Sequence, residues 1–146
     1  MIAGLAITEI EDADAAAVVS LWERCALTRP WNDPAADIAL ARRSPDATVL
    51  VGRVAGEIVG SVMVGHDGHR GWVYYVSVDP DHRVKGYGRD IMNAAEDWLR
   101  SRGIAKLQLM VRGDNEKVHA FYQSLGYYDQ KRVTLAKWLD GREPTP

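Results

Sequence analysis

Val78-Asp79-Pro80-Asp81-His82-Arg83-Val84-Lys85-Gly86-Tyr87-Gly88 decides the fold, because the hydrophobic period changes across it. Before it, Trp72 to Val78 is rich in β-branched and aromatic residues and is ended by Pro80, which reads as the central strand. After it, Ile91, Ala95, Trp98 and Leu99 recur at helical spacing toward Arg102, and Gly103 stands where a helix of that length stops. The stretch is therefore a strand end, a turn and the first turn of an amphipathic helix. Its chemistry is anion binding. Gly86 and Gly88 let the backbone approach a ligand, the N–H groups of a helix N-terminus point outward, and Arg83 and Lys85 add positive charge. A pyrophosphate, with many acceptor oxygens, suits such a loop. Two familiar phosphate loops are excluded. Ile91 stands where the dinucleotide fingerprint needs its third glycine, and no Gly-Lys-Ser/Thr follows at Walker spacing.

Upstream, Leu5 to Ile10 reads as a first strand, and Asp12 or Asp14 can cap a helix carrying Ala17, Val18, Leu21, Trp22 and Cys25 on one stripe. Asp33, between Pro30 and Pro34, can cap a second short helix through Ile38 to Arg42. Val49 to Val54 and Glu57 to Val64 form a hairpin around Ala55-Gly56, and His66 to Gly71 is a polar loop. Downstream, Lys106 to Val111 reads as a strand, Asn115 to Leu125 as a helix stopped by Gly126, and Lys131 to Leu139 as a final strand. Residues 1–140 make one domain, and the polar tail 141–146 is expected to fray.

A chain of 146 residues, 47% hydrophobic and 26% charged, is sized for one globular core. A net charge of −2 argues against duplex nucleic acid as a partner. The single cysteine, Cys25, forms no internal disulfide, and no ligand-spaced partners suggest structural zinc. With neither a signal pattern nor a membrane-length apolar run, a cytoplasmic location without membrane partners is expected.

The chain resembles the GNAT acetyltransferase superfamily. The family signature RxxGxG/A is matched by Arg83, Gly86 and Gly88 after Val78-Asp79-Pro80. The Gly56-Glu57-Ile58-Val59-Gly60 hairpin, Asn115 with Tyr122, and Leu125-Gly126-Tyr127 carry the likeness from Leu5 to Leu139. More narrowly, Leu21 to Cys25, Arg29 to Pro34 and Asp67 to Gly71 are similar to the bacterial YpeA subgroup. The resemblance implies an α/β (α+β) domain whose mixed, mostly antiparallel sheet is flanked by helices and splayed between its fourth and fifth strands, with acetyl-CoA in the gap. It implies that main-chain groups of Val76 and Val78 pair with the pantetheine arm. Amides of Val84, Lys85, Gly86, Tyr87, Gly88 and Arg89, with Arg83, would cradle the pyrophosphate, and Asn115 would hold the pantetheine side. Dimers are frequent in the family, so a homodimer is an expectation. Val84, Tyr87 and Val118 depart from the family's usual residues without removing a backbone donor.

Acetyl transfer to an amine needs a neutral nucleophile, stabilisation of an oxyanion and a proton for the departing thiolate. Tyr122 carries a phenol of ordinary pKa near ~10 and is the candidate general acid, with packing beside Phe121 as the alternative. Some members of the family place a glutamate at the start of the fourth strand, where this chain has Trp72. Glu23, Asp33, His66, His69 or a water chain on Tyr74 or Tyr75 remain as routes for the amine's proton. His66-Asp67-Gly68-His69 is a weak metal set, and no metal is expected. Trp31, Asn32 and Asp33, together with His69 and Tyr74, are candidate acceptor residues. Asp33, Asp37 and Glu23 could attract a cationic amine, while helix capping is the other reading of Asp33. Trp22 and Cys25 read as core. The acceptor expected is a primary amine on a small metabolite or a peptide or protein N-terminus. A non-catalytic acyl-CoA sensor is the alternative, and a longer acyl donor a third.

Overall fold

A computed structural model describes residues 4–146. The chain divides into two compact units, one running to Leu109 and one from Met110 to Pro146. In the first, β1 (Ala6–Glu9), β2 (Ala47–Val54), β3 (Glu57–His66), β4 (Gly71–Val78) and β5 (Leu107–Gln108) form one sheet in that order. β1 to β4 pair antiparallel, and β4 pairs with β5 parallel, giving the mixed sheet of the expected fold class. Ala55 and Gly56 both take positive φ, +51° and +82°, which is the turn a two-residue hairpin needs between twisted strands.

Successive strand residues face opposite sides, and β3 shows what covers each. Ser61 points to α1 (Ala15–Arg24), where its Oγ accepts from the Trp22 indole at 2.7 Å. A Cβ on Gly60 would instead meet Ile91 of α3 (Tyr87–Arg100) at 3.3 Å. On the first face, Val18, Leu21 and Trp22 of α1 and Ile38 and Ala41 of α2 (Pro34–Arg43) bury against Val49 and Val51. On the second, α3 buries Tyr87, Ile91, Met92, Ala95 and Leu99. Their i, i+4, i+5, i+8 spacing is the stripe that starts at the loop glycines. Asp33 caps α2, its side chain accepting from Ala36 N at 3.1 Å, with Pro34 at the first helical position.

Three segments differ from the sequence reading. A 3-10 turn, Asp12–Asp14, precedes α1, and Asp14 accepts from Glu11 N at 2.9 Å rather than capping the helix. The strand expected over Lys106 to Val111 is only Leu107–Gln108. Among the described residues its register with β4 is Gly71 to Leu107 and Trp72 to Gln108 and goes no further, which is the splay between the fourth and fifth strands. Lys131 to Leu139 is not a strand. Lys131 has φ +56°, which breaks the extended run at its first residue, and among the described residues no register pairs it. Alternation alone makes no strand without a ladder partner, and Val133, Leu135 and Leu139 stay exposed.

In the second unit α4 (Glu116–Ser124) is capped by Asn115, whose Oδ1 accepts from Val118 N at 3.2 Å. Gly126 ends it at φ +96°, with Tyr127 N on Tyr122 O and Gly126 N on Gln123 O, a Schellman closure. The tail returns to Trp138, whose indole donates to Thr145 at 3.2 Å. Among the described residues no helix is long and apolar enough to cross a membrane.

Candidate active site

β4 ends at Val78, and Asp79 turns the chain. Its carboxylate accepts from Asp81 N at 2.9 Å and from the Arg24 guanidinium at 2.8 Å. The main-chain amide first and Arg24 second hold that carboxyl below the usual range. After the 3-10 turn Pro80–His82, Arg83 folds back so that its Nε donates to Val78 O at 3.3 Å. Val84, fully exposed, has φ +63°, and Gly86 has φ +81° as the N-cap of α3. A β-branched residue there is strained, whereas glycine is at ease. The helix's first main-chain bond is Asp90 N to Gly86 O at 3.1 Å, which leaves the amides of Gly88 and Arg89 ahead of the ladder. Arg83, Lys85 and Arg89 are exposed, and among the described residues none has a carboxylate within ion-pair distance. A left-handed N-cap, leading amides and three solvent-facing cations make a cradle for a polyanion. Tyr87 contributes only main chain here, since its ring is buried against the sheet.

β4 carries the other candidates of this unit. Two residues of β4, Tyr75 and Val76, oppose the single Val62 of β3 between the pairs Ser61↔Ser77 and Met63↔Tyr74. This β-bulge puts Tyr75 at φ +54°, its ring stacked on Trp22 at 3.8 Å and its hydroxyl donating to Asp37 at 2.7 Å. Burial first, then that carboxylate, push its pKa above the ordinary phenol range, so it keeps its proton. Tyr74 is half exposed, and burial followed by Asp67 raises it as well. Val78 O, beyond the reach of any β5 partner, accepts from Cys25 Sγ and Arg83 Nε, both at 3.3 Å. Cys25 is only half buried, and burial raises its thiol.

Trp31, Asn32 and Asp33 lead into α2, with Asn32 and Asp33 exposed. Asp33 is used as the cap. In the loop after β3, Asp67 accepts from His69 N and Arg70 N at 2.9 and 2.8 Å, the Arg70 amide first among the causes holding its carboxyl low. His66 Nδ1 accepts from Gly68 N at 3.0 Å, and His69 is exposed. Among the described residues no three His, Cys, Asp or Glu side chains gather as a metal site. In the second unit, Asn115 and Tyr122 stand two turns apart on one side of α4. Tyr122 is buried beside Phe121 and Tyr127, and burial pushes its phenol up to about 12.

Sequence reasoning missed the Trp22–Tyr75–Asp37 assembly. The available signal was Tyr74-Tyr75 itself, since two adjacent large rings break the alternation of a strand covered on both faces.

Comparison with known proteins bears on the family and the fold. The profile of the acetyltransferase (GNAT) family matches residues 15–127. An acetyltransferase of Sodalis glossinidius is 48% identical over 118 residues, 81% of this chain and 83% of that one. Among solved structures, AAC(6')-Iy in complex with the bisubstrate analogue CoA-S-monomethyl-acetylneamine superposes with a TM-score of 0.80 at 15% identity, covering 93% of this chain and 99% of that one. The ribosomal-protein-S18-alanine N-acetyltransferase from Escherichia coli gives 0.75 at 24% identity, covering 95% and 88%.

Proposed function

The chain belongs to the acetyltransferase (GNAT) family and is an N-acetyltransferase by that membership; from this premise we propose that it takes acetyl-CoA as donor and a primary amine as acceptor. The amine would sit on a small molecule or at a peptide or protein N-terminus; of the structural neighbours, one is bound to an acetylneamine bisubstrate analogue and one is named for a ribosomal-protein alanine. The observation that carries the donor is the Arg83 to Arg89 loop, with its left-handed cap at Gly86, leading amides and, among the described residues, cations without a carboxylate partner. A pyrophosphate satisfies all three. The end of the β5 register at Trp72 supports main-chain pairing of Val76 and Val78 with the pantetheine arm, for which the Cys25 and Arg83 contacts on Val78 O would have to give way. Asn115 uses its oxygen to cap α4, and its side-chain NH₂ is the donor proposed for the pantetheine side.

In the reaction the acceptor ammonium loses a proton, its nitrogen attacks the thioester carbonyl, the C–S bond breaks, the nitrogen sheds a second proton to become the neutral amide, and the thiolate takes a proton. Tyr122 is the proposed donor of that last proton, because its phenol is neutral at working pH. Asp33 is committed to its cap and Tyr75 to Asp37; of the routes left, Glu23, His66, His69 and a water chain on the half-exposed Tyr74, the water chain is the one proposed for the first proton. Direct attack needs no acyl-enzyme, and the thiol of Cys25, held on Val78 O with its pKa raised, is a poor nucleophile.

Thiol release from acetyl-CoA, followed with a panel of amines and N-terminal peptides, tests this. Amine-dependent release well above background is expected, falling by about 10²-fold or more in Tyr122→Phe if the phenol is the acid. Acetyl-CoA binding without turnover for every amine would point to a sensor, and full activity in Tyr122→Phe would remove the tyrosine's role.

A further inference from the structure

Tyr75 holds a φ of +54° in the middle of a strand. A non-glycine residue pays for that conformation, and it persists only where its surroundings fix it. Two contacts do so. The ring lies flat on Trp22, with 2° between planes, and the hydroxyl donates to Asp37 on α2 at 2.7 Å. Trp22 is itself held by Ser61 Oγ at 2.7 Å, and Ser61 Oγ by Ser77 Oγ at 2.9 Å. Ser77 is the residue at which β4 resumes pairing with β3. The bulge is thus gripped on both sides, by Tyr75 before it and Ser77 after it. Val76 lies between the two grips.

We infer that Tyr75 is a positioning residue: through Asp37 and Trp22 it locks the β4 bulge and so aims the main chain of Val76 and Val78 at the acyl donor's pantetheine arm. The inference rests on the proposed donor site. It also ties α2, which carries the candidate acceptor segment at its start, to the strand that receives the donor. Its mark is selectivity, because the hydroxyl's loss should disturb the strand that takes the arm and spare the loop that takes the pyrophosphate.

Isothermal titration with acetyl-CoA and with ADP, which has a pyrophosphate but no pantetheine, separates these. Tyr75→Phe keeps the ring on Trp22 and removes the hydrogen bond to the carboxylate, and Asp37→Ala removes it from the other side. Each should weaken acetyl-CoA roughly tenfold, the size of one hydrogen bond to a charged group, while ADP affinity stays within about twofold. Asp37→Asn retains an oxygen for the Tyr75 hydroxyl and should recover most of the loss. The double variant Tyr75→Phe, Asp37→Ala should be no worse than either single. Unchanged acetyl-CoA affinity in Tyr75→Phe, or equal loss for ADP, would overturn the inference while leaving the donor site standing. A wild-type chain that binds no acetyl-CoA would overturn the donor site and the inference together.

Discussion

Tyr122 sits on α4 with its ring buried, and burial pushes its phenol up to about 12. Folding therefore favours the neutral form. The stability this contributes is complete below the unfolded phenol pKa near ~10 and is lost as pH rises through the folded value of about 12. Denaturant midpoints measured upward from about pH 9 should show the wild type falling relative to Tyr122→Phe only above about pH 10. Parallel curves throughout would show that the phenol is not buried as described. At this scale the sequence was legible where one helix sufficed. The stripe of Val18, Leu21 and Trp22 is buried as its spacing required, and Asp33 caps α2. The stack of Trp22 on Tyr75 was not legible, because a bulge is a mismatch between two strands and neither strand's own period contains it.

The loop from Arg83 to Gly88 was read from local chemistry, and its structure is local too. Gly86 caps α3 in the left-handed region, and a Cβ there would meet nothing within 4 Å. The cost of Gly86→Ala is therefore conformational rather than steric, about 1–2 kcal/mol. It should lower the unfolding free energy measured in urea by that amount and weaken acetyl-CoA, since the cap sets the aim of the first amides of α3. Stability equal to wild type would show that the left-handed cap is not held in solution. The hairpin at Ala55-Gly56 and the Gly126 stop were legible for the same reason, as each is set by φ at one or two residues. Lys131 to Leu139 failed as a strand because its alternating residues specify a face but not a neighbour, and Lys131 at φ +56° interrupts the extension.

Across the whole molecule the order of elements, the mixed sheet and its opening beyond Trp72 follow from the strand and helix periods together with the family resemblance. The acceptor did not, because its candidates are scattered over α1, the entry to α2, the loop after β3 and β4, and Asp33 proves to be used as a cap and Asp37 as the acceptor of the Tyr75 hydroxyl. A net charge of −2 hides a locally cationic donor loop. A polyanionic donor that binds only the folded chain should raise its stability by about 2.7 kcal/mol at a hundredfold excess over Kd, and its Tm by about 5–10 °C. Adding salt should reduce that shift. The most direct test of the donor assignment is a structure of the chain bound to CoA. The pyrophosphate should lie on the amides of Val84 to Arg89 at the N-terminus of α3, with the pantetheine arm along β4 at Val76 and Val78. A pyrophosphate bound anywhere else would contradict it.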